Sequence, residues 1–179
     1  MSRTNPYKKK RRSAKRTLLM YGEGLGEEMF LRHLRSLYAH NSGVSVTIRN
    51  GKGGNPKSVV INAANEPGDF EKRIVILDND KDKKEMDQAR VEAKKKSVAI
   101  LENSPCLEST LLSILRTEQN FSTKKSAWCK NEFELNYMDK KKRIELEEYK
   151  KVFSKQILDG QKDKILELKA LINLMEGKL

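Results

Sequence analysis

The chain has 179 residues, 35% of them charged, and a formal net charge of +12. That length suits one domain with a small appendage, and no apolar run approaches the roughly 18 residues of a membrane span. Its two cysteines, Cys106 and Cys129, and two histidines, His33 and His40, share no ligand spacing, which argues against a Cys/His zinc site and a Ser/His/Asp triad and fits a reducing, cytoplasmic setting.

The first sixteen residues carry Arg3, Lys8, Lys9, Lys10, Arg11, Arg12, Lys15 and Arg16 with no acid, leaving +4 for the remainder. Such a leader reads as a disordered basic arm that contacts phosphates through charge without sequence preference. Nothing in it resembles the apolar stretch of a secretory signal. Residues 17–21 (Thr-Leu-Leu-Met-Tyr) form the first strand candidate. Gly22-Glu23-Gly24-Leu25-Gly26-Glu27-Glu28 then gives a tight turn into a helix, whose apolar face is Met29, Phe30, Leu34, Leu37 and Tyr38. Glu23 falls at the strand end, and Glu27 and Glu28 fall in the first helical turn, where the helix dipole favours acids. No Gly-Lys-Ser/Thr follows, so this is not a phosphate-cradling loop. His33 lies in an apolar helical pattern and reads as structural.

Residues 44–48 alternate as a second strand with one polar face. The glycine-rich loop Asn50-Gly51-Lys52-Gly53-Gly54-Asn55-Pro56 follows, with Lys52 in reach of a phosphate, and a short helix spans 56–64. After a turn at Glu66-Pro67-Gly68-Asp69 comes Arg73-Ile74-Val75-Ile76-Leu77-Asp78-Asn79-Asp80. Its apolar core reads as a strand buried on both faces, as in parallel α/β sheets. Ligands of such sheets bind beyond the carboxyl ends of the strands. Strand periodicity directs Asp78 and Asp80 to one side, where paired carboxylates suit Mg²⁺ or Mn²⁺. A polar helix over 83–95 and a fourth strand over 97–101 complete the pattern. Pro105 is expected in the first turn of the next helix, with Glu108 beside it and Leu107, Leu111, Leu112, Ile114 and Leu115 on its buried face.

Beyond residue 116 the composition shifts. Residues 121–138 read as polar and irregular, with Trp128 isolated. Two helices are expected over 140–158 and 161–177, separated by Asp159-Gly160, their apolar stripes packing on the domain or on a second chain.

The order of strand and helix, with acids at three strand ends, resembles the RloB-like family of TOPRIM-domain proteins, related to the OLD-family nucleases. The matching pieces are the basic leader, the strand followed by Gly22 to Glu28, the loop from Gly51 to Pro56, the strand ending Asp78-Asn79-Asp80, and the strand followed by Asn103-Ser104-Pro105-Cys106-Leu107-Glu108. They cover roughly residues 8–116. The resemblance implies a compact Rossmann-like α/β TOPRIM domain over 17–118 with a mostly parallel sheet, preceded by the arm (1–16) and followed by a helical extension (119–179).

The resemblance also implies a metal-dependent nuclease acting in phage defence or mobile-element conflict. Glu23 matches the acid of the first motif, a proton-transfer residue or metal ligand. Glu28 matches that motif's second acid better than Glu27, Asp78 and Asp80 match the metal pair, and Glu108 matches the acid of the last motif. The expected cofactor is Mg²⁺ or Mn²⁺. The expected partners are DNA or RNA, held by Lys8, Lys9, Lys10, Arg11, Arg12 and Lys52, and a protein or second copy on the C-terminal helices. Two departures stand out: Ser109-Thr110 replace apolar and aromatic residues, and Lys81 stands where an acid is common. The competing reading is a non-catalytic nucleic-acid-binding or regulatory protein on the same fold. A primase or topoisomerase ranks lower, because the chain has no room for their accessory domains.

Overall fold

The computed structural model describes residues 16–40, 42–51, 53–117 and 119–178. The basic arm with Lys8, Lys9, Lys10, Arg11 and Arg12, and the loop residue Lys52, lie outside the described residues.

Four parallel strands, β1 (Arg16–Gly22), β2 (Val44–Asn50), β3 (Lys72–Asp78) and β4 (Val98–Asn103), form one sheet in the order β2-β1-β3-β4. Helices α1 (Leu25–Tyr38), α2 (Pro56–Asn65) and α3 (Lys83–Lys96) make the crossovers, and α4 (Leu107–Leu115) follows β4. The expected α/β class with a parallel sheet is what the chain adopts. Arg16, assigned to the arm from sequence, instead opens β1, where its guanidinium lies 3.5 Å from Glu71 and donates to the Gly177 carbonyl at 3.4 Å. The central strands β1 and β3 are buried on both faces, whereas β2 alternates buried and open positions as its sequence does.

The period of two divides the core between the faces of the sheet. Leu19, Tyr21, Val75 and Leu77 pack against Val59, Val60 and Ala63 of α2 and Met86, Ala89 and Ala93 of α3. Leu18, Met20, Ile74 and Ile76 face the opposite way, onto Phe30, Leu31 and Leu34 of α1 and Leu111 and Leu112 of α4. Local chemistry fixes the helix starts. The Asn55 side chain accepts from the Lys57 N–H at 2.9 Å ahead of Pro56, and Asp82 accepts from the Lys84 N–H at 3.2 Å. Pro105 stands before α4 rather than in its first turn, and Cys106 is the residue that precedes the helix.

The C-terminal third departs most from expectation. Residues 121–138 are not irregular: α5 spans Ser126–Asn136, and Trp128 stacks on Phe121 with centroids 5.9 Å apart. Instead of two longer helices there follow a 3-10 turn over Lys140–Ile144, then α6 (Leu146–Val152), α7 (Lys155–Gln161) and α8 (Leu166–Glu176). The break falls at Phe153-Ser154, where the Ser154 hydroxyl accepts from the Ile157 N–H at 3.3 Å and starts α7. Asp159 and Gly160 lie inside α7. This third shares the core of the sheet domain. Phe153 meets Phe30 of α1 edge-on at 5.6 Å and stacks with Phe133 of α5 at 6.4 Å and Tyr149 of α6 at 6.2 Å. Fully burying side chains of this size stabilises by ~1.5–3 kcal/mol each, so these helices are built into the domain. His33 is buried there as expected, its Nε2 donating to the Phe153 carbonyl at 2.7 Å. Among the described residues no helix is long and apolar enough to cross a membrane.

Candidate functional site

The parallel register brings three strand ends to one edge. Gly22 pairs with Ile76, and Asp78 pairs with Asn103. The chain leaves each of these ends with an acid or an amide, and the helices that follow return acids to the same place. Gly22 makes the first return feasible: a Cβ there would stand 2.7 Å from Glu27 Cβ, so only glycine lets the first turn of α1 close on the strand end. Glu27 then accepts from the Gly24 N–H at 2.9 Å.

Glu23, just past β1, accepts from the Asp78 N–H at 3.3 Å, so the first motif touches the third strand directly. Asp78 is buried. Its Oδ1 accepts from the Leu107 N–H at the start of α4 at 2.9 Å and from Asn103 Nδ2 at 3.5 Å. Asp80 accepts through Oδ2 from the Ser126 hydroxyl at 2.7 Å and from Lys130 Nζ at 3.0 Å. Lys130 also lies 3.7 Å from Asp78 Oδ2, so one ammonium spans the acid pair. Lys81, the departure noted in the sequence, sits 3.9 Å from both Glu23 and Asp80. Glu108 is buried and accepts from Arg143 Nη1 at 2.6 Å, while Arg143 Nη2 donates to the Lys130 carbonyl at 2.9 Å.

The electrostatics follow from this crowding. Burial pushes the Asp78 carboxyl up to about 8, and the charges of Glu27, Glu108 and Glu23 push the same way against Lys130. Burial also raises Glu27, with Glu108 and Glu23 adding to it. Asp80 goes the other way: its partial burial is outweighed by the Ser126 hydroxyl, Lys130 and Lys81, which hold it below the usual carboxylate range. Lys130 is raised, because Asp80 and Asp78 outweigh its desolvation. A cavity of about 260 Å³ opens here, lined by Gly24, Glu27, Asp78, Glu108, Lys130 and Arg143 among others.

Four of the five acids expected from the sequence meet at this edge: Glu23, Asp78, Asp80 and Glu108. Glu28 does not. It turns toward β2, paired with Arg32 at 2.6 Å and accepting from Asn50 Nδ2. Glu27 takes the position expected of it, one residue earlier. Lys130, Ser126 and Arg143 were not anticipated, because they come from a stretch whose sequence carries no motif. The Ser109-Thr110 departure also finds its place. Ser109 donates to the Ser104 carbonyl at 2.7 Å and Thr110 donates to Asn103 Oδ1 at 3.3 Å, both lining a separate polar cavity of about 450 Å³ that holds none of the clustered acids.

Comparison with known family models, curated proteins and solved structures finds no match for this chain. The site is therefore judged on its own chemistry. In donor type, carboxylate oxygens gathered at one edge, it suits a hard divalent cation. As placed, Lys130 holds the seat between Asp78 and Asp80, and among the described residues no three Asp, Glu, His or Cys side chains are arranged to hold a metal ion.

Proposed function

We propose that this chain is a nuclease that hydrolyses nucleic-acid phosphodiester bonds with the help of Mg²⁺ or Mn²⁺. The observation that carries this reading is a surplus of acids at the carboxyl edge of a parallel sheet, where ligands of open α/β folds bind. Five acids, Glu23, Glu27, Asp78, Asp80 and Glu108, share this edge with four cations, Lys81, Lys130, Lys140 and Arg143. The shortfall is one charge if all are ionised, and its cost falls on the raised Asp78 and Glu27. Glu23, Asp78 and Asp80 are the residues that would hold the ion, which when bound supplies an activated water and charge stabilisation. Glu23 is the candidate for proton transfer, since its carboxylate meets the Asp78 N–H at the strand ends and is not locked in a close ion pair. Lys130 and Lys81 would meet substrate phosphate, and the basic arm and Lys52 would supply further charge for the backbone. The proposed setting, by family resemblance, is cytoplasmic defence against phage or mobile elements.

One observation favours a second reading, a nucleic-acid-binding or regulatory protein without catalysis: Lys130 and Arg143 already pair with Asp78, Asp80 and Glu108 inside the protein. Incubation with a mixed panel of DNA and RNA separates the two. The nuclease reading expects cleavage with Mg²⁺ or Mn²⁺ that stops in excess chelator. Tight binding of the panel with no cleavage under any of these ions would favour the second reading, and full cleavage in chelator would remove the metal from the first.

A further inference from the structure

Lys130 belongs to a segment that the chain folds over the acids from more than fifty residues away in sequence from Asp78. Ser126 and Lys130 are four residues apart on α5, hence on one face, and both reach Asp80. That face is fixed. Cys129 and Phe133 of the same helix are fully buried, and Arg143 ties the Lys130 carbonyl to Glu108. The lysine stem, in contrast, is 42% exposed, so the ammonium has a free path to solvent while its helix stays in place.

We propose that Lys130 is the resident counter-ion of the Asp78–Asp80 pair, and that a divalent cation enters this site only by displacing its ammonium. The inference rests on the proposed metal-dependent reading and adds to it a residue that sets the site's affinity and its order of loading. The ammonium lies 3.0 Å from Asp80 Oδ2 and 3.7 Å from Asp78 Oδ2, beside the two carboxylates that would hold the ion. Two cations at that separation repel strongly in a half-buried site, so lysine and metal exclude each other. Lysine suits the role better than arginine would, being a compact charge on a flexible stem. Once displaced, the ammonium stays at the mouth of the cavity, where a substrate phosphate is its natural acceptor. Metal and nucleic acid then favour each other's binding, as linkage requires of two ligands that select the same open state.

The test is the affinity for Mn²⁺ alone, read from the free-ion signal in electron paramagnetic resonance. Lys130→Gln removes the charge and keeps a hydrogen-bond donor, and Lys130→Arg keeps the charge. Lys130→Gln should bind Mn²⁺ about tenfold more tightly or better, while Lys130→Arg stays within a few-fold of the unaltered protein. Equal or weaker binding by Lys130→Gln, with the unaltered protein binding measurably, overturns the displacement and leaves the proposed function standing. No Mn²⁺ binding by any of the three overturns the displacement and the metal-dependent reading together. The unaltered protein gives an independent reading that needs no variant: the side-chain NMR resonances of Lys130 should move when the protein is saturated with Mg²⁺. Resonances that stay in place at saturation overturn the inference.

Discussion

Asp78→Asn isolates the electrostatic strain at the sheet edge. In the folded chain the Asp78 carboxyl is pushed up to about 8, first by burial and then by Glu27 and Glu108. In the unfolded chain it titrates near 3.9. Between these values the native state holds a proton that the unfolded state has released, so stability falls as pH rises through the window. By pH 7 the accumulated loss is on the order of 4 kcal/mol, at ~1.4 kcal/mol per unit. Asparagine cannot ionise and escapes this loss. It retains an oxygen for the Leu107 N–H but gives up the contact with Lys130, and its amide donors then face that ammonium. Offsetting ~1–2 kcal/mol for these changes leaves Asp78→Asn more stable than the parent by ~2 kcal/mol at pH 7. The gain should shrink toward zero, or reverse, near pH 4.5. Urea unfolding midpoints in chelator, measured from pH 4.5 to 8 for both proteins, read the difference directly. His33 acts in the opposite sense below pH 6.5, but it is common to both proteins and cancels. A difference that is independent of pH, or a parent more stable at pH 8, would refute this account of the site.

Four other outcomes are expected. Asp78→Asn with Asp80→Asn should lower cleavage by orders of magnitude while metal-free nucleic-acid binding holds or tightens, since two charges that repel phosphate are gone; parent-rate cleavage by a folded double variant excludes this site. Removal of residues 1–15 takes away seven of the eight leader cations, and should lower the slope of log K against log salt by several units, at ~0.9 per duplex phosphate contact, without lowering the unfolding midpoint. His33→Ala deprives the Phe153 carbonyl of its donor and should cost ~1–3 kcal/mol. Burial lowers the His33 pKa from its usual value, so the unfolded chain takes up a proton first as pH falls below about 6.5, and the parent's acid sensitivity in that range should be smaller in the variant. Finally, a chain ending at residue 118 should fail to unfold cooperatively in a urea titration, because Phe30 and Leu112 lose Phe133, Tyr149 and Phe153 from their shared core.

The sheet domain was legible in sequence where one physical signal dominated. Ile74 to Leu77 is apolar at every position because β3 lies inside a parallel sheet covered on both faces. The alternation in residues 44–48 belongs to β2, whose edge position leaves one face open. Asn55 and Asp82 cap α2 and α3 through contacts that act over two residues. The C-terminal third was less legible, although Ser154 caps α7 in the same way. Residues 121–138 show no regular apolar period, and Cys129 and Phe133 are the residues of α5 that are buried, against partners far away in sequence. Propensity cannot report a helix that tertiary packing selects. Asp159-Gly160 misled for the complementary reason. Gly160 inside α7 has nothing near it, so the helix tolerates the glycine at a cost of about 1 kcal/mol, while Ser154 sets the actual break.

The site divides along the same line. Its acids are sequence-local: each follows a strand by a few residues, so the topology alone gathers them at one edge. Choosing between Glu27 and Glu28 required more, because they are adjacent in the same helical turn and differ by 100° in direction. What decides is the close approach of α1 to the end of β1 at Gly22, which aims Glu27 at Asp78 and leaves Glu28 to Arg32 and Asn50. The cations that answer the acids, Lys130 and Arg143, sit among many similar lysines and arginines in a chain of net charge +12. Composition makes such partners plentiful and therefore uninformative. Only packing, with Cys129 and Phe133 driven into the core, selects which ammonium reaches Asp78 and Asp80. The chemistry of this edge is thus set jointly: the first two thirds of the chain create a surplus of negative charge, and the last third determines what is allowed to neutralise it.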